Sequence, residues 1–182
     1  TNYLVQTSKG TFILTLYERR VDPADLPYFM GLLQHLHGHG VACPLPVANR
    51  EGEVLTEIAG RTAALVTFLE GVWVRHPQAS HCAKVGSALA ELHLAGAGFQ
   101  MTRPNALGLE GWHDLADRLR PRADEIAPGL GVLIDYELAH LDRAWPRDLP
   151  SGVIHADLFP DNVFFIGNRL SGLIDFYFAC ND

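Results

Sequence analysis

Two apolar-rich runs, residues 3–6 and 11–17, flank the turn-forming Thr7-Ser8-Lys9-Gly10, a pattern that predicts a β-hairpin. Asp22 then offers an N-cap, Pro23 suits the first helical position, and Asp25 favours the positive end of a helix. Leu26, Phe29, Met30, Leu33 and Leu36 recur at three- and four-residue steps, one face of an amphipathic helix that Gly38 and Gly40 can end. Residues 44–46 read as extended. Residues 53–55 read as a short strand, and residues 61–69 as a stronger one that stops at Glu70-Gly71.

Beyond Gly71 the spacing turns helical. Cys82, Val85, Leu89 and Leu92 form one apolar stripe, and Trp112, Leu115 and Leu119 suggest a second helix that ends by Pro121. Leu130, Leu133, Ile134, Leu138, Leu141 and Trp145 give a third, stopped by Pro146. Three short strands follow Pro150, with Gly167-Asn168 as a two-residue hairpin turn between apolar runs. The expected fold class is α+β in two lobes. Residues 1–70 form a small antiparallel β-sheet lobe with one helix, and residues 71–182 form a mainly helical lobe that ends in a β-hairpin.

Composition narrows the range of functions. With 182 residues, 48% of them hydrophobic and 19% charged, the chain can bury a core and reads as globular and soluble. The apolar run 63–69 is far too short to cross a bilayer, and no basic-then-apolar leader opens the sequence. A net charge of −7 without a clustered Lys/Arg run argues against nucleic acid and anionic membrane as partners. Cys43, Cys82 and Cys180 are odd in number and unpatterned, as expected of thiols in a reducing, cytoplasmic setting. The chain begins inside an expected strand and stops soon after a functional-looking carboxylate, so it is expected to be incomplete at both ends.

The chemistry concentrates in one stretch. The apolar strand Gly152-Val153-Ile154 runs into His155-Ala156-Asp157-Leu158-Phe159-Pro160-Asp161-Asn162, and further on Leu173-Ile174-Asp175-Phe176 closes a second apolar strand. Phosphoryl transfer is mainly placement and charge neutralisation, because its transition state spreads negative charge over oxygens held in line. Asp157 is the candidate general base for an acceptor hydroxyl. Asn162, through its amide oxygen, and Asp175, through its carboxylate, are candidate magnesium ligands, since magnesium takes hard oxygen donors. His155 is the candidate for fixing the loop. Asp161 fits ordinary Pro-Asp turn chemistry equally well.

Other phosphate motifs are missing. There is no Gly-x4-Gly-Lys-Ser/Thr loop, and Gly96-Ala97-Gly98 has Met101 where a dinucleotide fingerprint needs its third glycine. His35, His37 and His39 step by two along a helix, so they face different sides and do not converge on one ion. His93 reads as a core or interface histidine near the catalytic loop.

The Asp-x4-Asn loop followed by Ile-Asp-Phe resembles the catalytic loop and metal-binding motif of protein kinases. Together with residues 2–5, 12–20, 43–46, 68–71, 103–107 and 152–182, it resembles the aminoglycoside phosphotransferase/choline kinase family, in its branch of kinase-like homoserine kinases. The resemblance implies a two-lobed protein-kinase-like fold, with ATP and Mg2+ as co-substrate and metal. The implied acceptor is the hydroxyl of L-homoserine, and the product O-phospho-L-homoserine would serve threonine biosynthesis in the cytoplasm. It also implies Asp157 as base, Asn162 and Asp175 as metal ligands, and Thr67, Phe68 and Leu69 as the hinge that holds adenine. Asn2 and Tyr3 would form the phosphate edge of the first hairpin.

Two departures from the protein-kinase pattern leave alternatives open. Thr15 stands where a phosphate-clamping Lys is expected, and the helix after Pro23 has no Glu to pair with such a Lys. Lys9, Arg19 or Arg20 are the cations that remain for that task. Arg103 and Asn105 are candidates for an amino-acid carboxylate, and Trp73 for the border of the acceptor site. The alternatives are a kinase of another small alcohol, such as an aminoglycoside or choline, and a nucleotide-binding pseudokinase.

Overall fold

The computed structural model describes residues 1–18 and 21–182. Arg19 and Arg20, two of the three cations weighed for a phosphate role, lie outside the described residues. The chain divides into two compact units, one of residues 1–103 with 152–181 and the other of residues 104–151 with Asp182.

The first unit opens with the expected hairpin. β1 (Asn2–Thr7) pairs antiparallel with β2 (Gly10–Leu16), and Thr7 lies opposite Gly10. β2 also pairs with β4 (Arg61–Thr67), which pairs with β3 (Leu55–Ile58), giving a sheet in the order β1-β2-β4-β3. β3 begins where the sequence suggested a strand would end. The turn responsible is Ala59-Gly60, both residues at positive φ (51° and 71°), a geometry that matches the twist of tightly joined strands. Beyond the end of β3, the extended segment at Pro44-Leu45-Pro46 takes over as neighbour of β4, with Thr67 N–H donating to Leu45 O (2.9 Å) and Val47 N–H to Leu65 O (2.8 Å).

α1 (Leu26–Gly38) follows a single 3-10 turn at Pro23–Asp25, whose Ala24 N–H is capped by the Asp22 carboxylate at 3.0 Å. Its burial exceeds the one stripe seen in the sequence, because Tyr28 and Leu32 are buried along with Leu26, Phe29, Met30, Leu33 and Leu36. Tyr28 turns toward Phe99, beyond the end of α2 (Ala79–Gly96), with ring centroids 5.4 Å apart. A helix packed on more than one side loses its amphipathic signature. Each such Leu or Phe contributes about 1.5–3 kcal/mol of transfer free energy.

α2 shows less of its expected stripe. Leu92 is buried, but Cys82 is exposed and so is His93, which therefore is not a core histidine. The helix instead approaches its neighbour through Gly96: a Cβ there would stand 2.9 Å from Val153 Cβ.

The rest of this unit is a set of short strands. β5 (Val72–Trp73), which the sequence did not announce, pairs with β7 (Val163–Ile166), and β7 pairs with β8 (Arg169–Leu173) through a bulge at Phe164/Phe165. β6 (Val153–Ile154) pairs with β9 (Cys180–Asn181).

The second unit is a helical hairpin of α3 (Leu109–Ile126) and α4 (Leu130–Ala144). α3 runs through Pro121 instead of ending there. Proline costs one backbone bond, but bonds to α4 and beyond lie on both sides of it. Arg120 pairs with Asp135, His113 with Asp142 (2.8 Å), Asp124 accepts from Gly131 N–H (2.8 Å), and Trp112 packs edge-on against Trp145.

No helix among the described residues is long and apolar enough to cross a membrane. Gly96 yields a sign-reversing prediction. On helix propensity alone, Gly→Ala stabilises by about 1 kcal/mol. Here Gly96→Ala should instead lower stability by ~1–3 kcal/mol through overpacking on Val153. Thermal unfolding of the full-length protein checks this, and adding Val153→Ala should restore part of the loss.

Candidate active site

Residues 155–162 join β6 to β7, and Ile174-Asp175 follow β8, so the two chemistry-bearing loops leave neighbouring strand ends. They are stitched together by backbone: Ile174 N–H donates to Asn162 O at 3.0 Å. His155 adds the second stitch. Its ring is 1% exposed and packs on Phe176 with centroids 4.5 Å apart. Nε2–H donates to Ile174 O (2.9 Å), and Nδ1 accepts from Asp157 N–H (3.3 Å). Burial holds the ring below its ordinary value of 6.5, so it stays neutral and keeps one donor and one acceptor.

Asp157 and Asn162 are joined directly. Asn162, which is buried, uses its amide nitrogen to donate to Asp157 O (2.7 Å) and to the Asp157 carboxylate (3.3 Å). The turn between them closes through Phe159 N–H to Asp157 O (2.9 Å) and Asn162 N–H to Phe159 O (3.0 Å). With the amide nitrogen committed, the amide oxygen is the end left for a cation.

Two backbone positions here are unusual. Ala156 (φ 61°) and Asp175 (φ 63°) are both left-handed. For a residue with a Cβ this costs of order 1–3 kcal/mol and persists only where the surroundings over-determine it. Each lies beside a residue the loop stitching uses, Ala156 between His155 and Asp157, and Asp175 after Ile174.

Partial burial raises the Asp175 carboxyl above its ordinary 3.8. The nearby Asp157 and Asp161 charges push the same way, against a Tyr177 backbone N–H that favours the anion. Asp161 thus belongs to the electrostatics of the site as well as to its turn. Among the described residues no group of three or more His, Cys, Asp or Glu is arranged to hold a metal. The donor set is an amide oxygen and a carboxylate beside further negative charge. Those are hard oxygens, and magnesium is usually held by one or two carboxylates and completed by water and substrate phosphate. The residues fit that ion.

A cavity of about 1150 Å³ brings Asp175 together with Asn2, Thr67, Phe68 and Leu69. Tyr3 is not among its walls. It sits opposite Leu14 and half-exposed, on the other side of the pleat from Asn2 and its partner Thr15. Asp157, Asn162 and His155 also lie outside the lining. At the expected hinge, Thr67 N–H is committed to Leu45 O and Phe68 N–H to Thr11 O (3.2 Å), while Leu69 N–H makes no hydrogen bond among the described residues. Lys9 is in the exposed tip of the first hairpin.

Arg103 also lines the cavity, but its charge is spent. Its guanidinium pairs with Asp25 (2.7 Å), donates to Ala179 O (3.2 Å) and lies over the Phe29 ring. In the second unit, Asn105 donates to the Asp182 carboxylate (2.8 Å). Trp73 is half-exposed on β5, opposite Phe164. Tyr17 and Tyr177, which line the cavity and share a hydrogen bond between hydroxyls (2.7 Å), carried no chemical signal in the sequence. The only trace was the position of Tyr177 two residues beyond Asp175.

A homoserine kinase of Mesorhizobium japonicum is 61% identical over 181 residues, which is 100% of this chain and 57% of that protein. A homoserine kinase of Chelativorans sp. (strain BNC1) is 62% identical over the same length, covering 100% of this chain and 56% of its own. The chain therefore spans a little over half the length of the curated relatives it matches. Among solved structures, amicoumacin kinase hAmiN in complex with AMP-PNP, Ca2+ and Ami superposes with a TM-score of 0.72. The match covers 100% of this chain and 57% of that one at 17% identity, which establishes a shared kinase-like α+β fold. A profile of the phosphotransferase enzyme family matches residues 1–182, so the whole length of the chain belongs to that family.

Proposed function

We propose that the protein transfers the γ-phosphoryl group of ATP to the hydroxyl of L-homoserine, giving O-phospho-L-homoserine for threonine biosynthesis. The observation that carries this reading is the 61% identity, over the whole chain, to a homoserine kinase. Residues 1–70 act as the nucleotide-binding lobe, and residues 71–182 carry the acceptor-side and metal loops. The unbridged cysteines suit a reducing compartment such as the cytoplasm.

Asp157 accepts the proton of the acceptor hydroxyl as the oxygen attacks phosphorus. Asn162 keeps that carboxylate oriented through its amide nitrogen, and its amide oxygen, with the Asp175 carboxylate, holds magnesium. Magnesium, when bound, neutralises charge on the phosphate oxygens. Burial first, and then the Asp157 and Asp161 charges, raise the Asp175 carboxyl, and a divalent cation relieves the charge part of that cost. His155 is a positioning residue with both nitrogens committed to the loops. Thr67 O and Leu69 N–H, at the end of the strand, hold the adenine edge beside Phe68. Asn2 borders the phosphates; Tyr3, facing away, is left without a part in the proposal.

Three outcomes are expected of the full-length protein. ADP release should depend on homoserine, with an aminoglycoside, choline and methylthioribose supporting little or none. A preference for another of these alcohols would replace the substrate while keeping the kinase, and ATP binding without turnover on any alcohol would make the protein a pseudokinase. Asp157→Asn should lower kcat by ~10²–10⁴-fold with nucleotide affinity retained. The third outcome concerns pH. Because the folded His155 lies below its unfolded value of 6.5, its contribution to stability is complete above that pH. It is lost as pH falls through 6.5 toward the folded value. Denaturant unfolding from pH 8 to pH 5 should therefore show a smaller acid loss in His155→Gln than in the parent.

A further inference from the structure

Protein kinases tie their nucleotide sheet to the helix and metal loop with a Lys–Glu ion pair. Here Thr15 stands in β2, and α1 contains no carboxylate. A pair of tyrosines, one buried and one partly buried, occupies the neighbouring space. Tyr17 directly follows β2 and is 7% exposed, and Tyr177 lies in the 3-10 turn Phe176–Phe178 just past Asp175. Their hydroxyls are 2.7 Å apart, one donating to the other, and their rings meet edge to face at 5.4 Å. Phe29 of α1 backs Tyr177 edge-on at 5.6 Å. The Thr15 hydroxyl borders that of Tyr177 and donates to the Asn2 amide oxygen at 2.9 Å. A polar chain thus runs from Asn2 in β1 through Thr15 to Tyr177 and Tyr17.

At its far end the chain reaches the metal loop through sequence, because Tyr177 lies in the 3-10 turn that Asp175 opens, two residues beyond it. Burial above all raises both phenols, and the Asp175 charge adds to it, so both stay protonated and neither serves as a base. Asp175 needs such an anchor. It is left-handed, a backbone geometry that its surroundings must hold in place.

We propose that the Tyr17–Tyr177 hydroxyl pair is a positioning device that locks the Asp175 loop onto the β1–β2 sheet and so sets the affinity for the magnesium–nucleotide complex. It divides a task that protein kinases give to one ion pair. Loop registration is neutral and hydrogen-bonded here, and positive charge for the phosphates comes from elsewhere. The inference rests on Asp175 as metal ligand.

The test is equilibrium binding of a fluorescent, non-hydrolysable ATP analogue to the full-length protein, titrated with Mg2+. Tyr17→Phe and Tyr177→Phe should each weaken Mg2+-dependent binding about 3–10-fold, the range of one hydrogen bond, and by more than they weaken metal-free nucleotide binding. The double variant should be no weaker than the weaker single one, since both lose the same bond. Tyr28→Phe is the control. It removes another buried hydroxyl, bonded to Asn181 at 3.4 Å, and should leave the Mg2+ dependence as it was. An unchanged Mg2+ titration in the two variants, additive losses in the double one, or an equal loss in Tyr28→Phe would each overturn the proposal. If the parent protein binds nucleotide without any Mg2+ dependence, the metal reading of Asp175 fails first and the tyrosine proposal with it.

Discussion

The side-chain link that gives the two loops a common geometry depends on His155 staying neutral. One nitrogen must donate to Ile174 O while the other accepts from Asp157 N–H, and a protonated imidazole has no acceptor to offer. The surroundings enforce this, since the ring is fully enclosed and stacked on Phe176. Both loops run between the same two strand pairs, β7/β8 at one end and β6/β9 at the other, and the bond from Ile174 N–H to Asn162 O and the His155 ring tie them together in between. The left-handed Ala156 and Asp175 then become affordable, because each sits beside a point where the chain is tied down.

A second constraint is charge. Asp157, Asp161 and Asp175 crowd one region. The one Arg that lines the cavity from the loop after α2, Arg103, is paired with Asp25 and capped by Ala179 O. Burying further ions without partners would cost several kcal/mol each. The links that fix the two loops and the tyrosine turn are neutral: imidazole to carbonyl, amide to carbonyl, hydroxyl to hydroxyl and hydroxyl to amide. Crowded carboxylates suit a site completed by a cation and a phosphate.

The core supplies the rigidity these links need. Phe29 and Leu33 of α1 also line the cavity, and Phe29 meets Tyr177 and lies beneath the Arg103 guanidinium. At the other end, Gly96 lets α2 pack within backbone distance of Val153, two residues before His155. Packing faults at either place would reach the loops, because close-packed interiors transmit strain.

Much of this was legible along the chain. Strand runs, the turn at Ser8-Lys9, the α1 stripe and the Asp157-x4-Asn162…Asp175 pattern depend on local spacing, which a sequence displays directly. The errors have tertiary causes. α3 continues past Pro121 because α4 holds both flanks, Cys82 is exposed although its periodicity suggested burial, and Tyr3 lies on the opposite face of its strand from Asn2. The backbone groups at residues 67–69 stay hidden because backbone groups have no residue code. The tyrosine pair stays hidden because Tyr17 and Tyr177, read singly, look like core aromatics. The sequence by itself determined which candidate groups gather in the loops, since that depends on residue type and short spacing. Only the tertiary structure decided how they are held, because hydrogen bonds between residues as distant as Tyr17 and Tyr177 exist only once the strands and loops have packed.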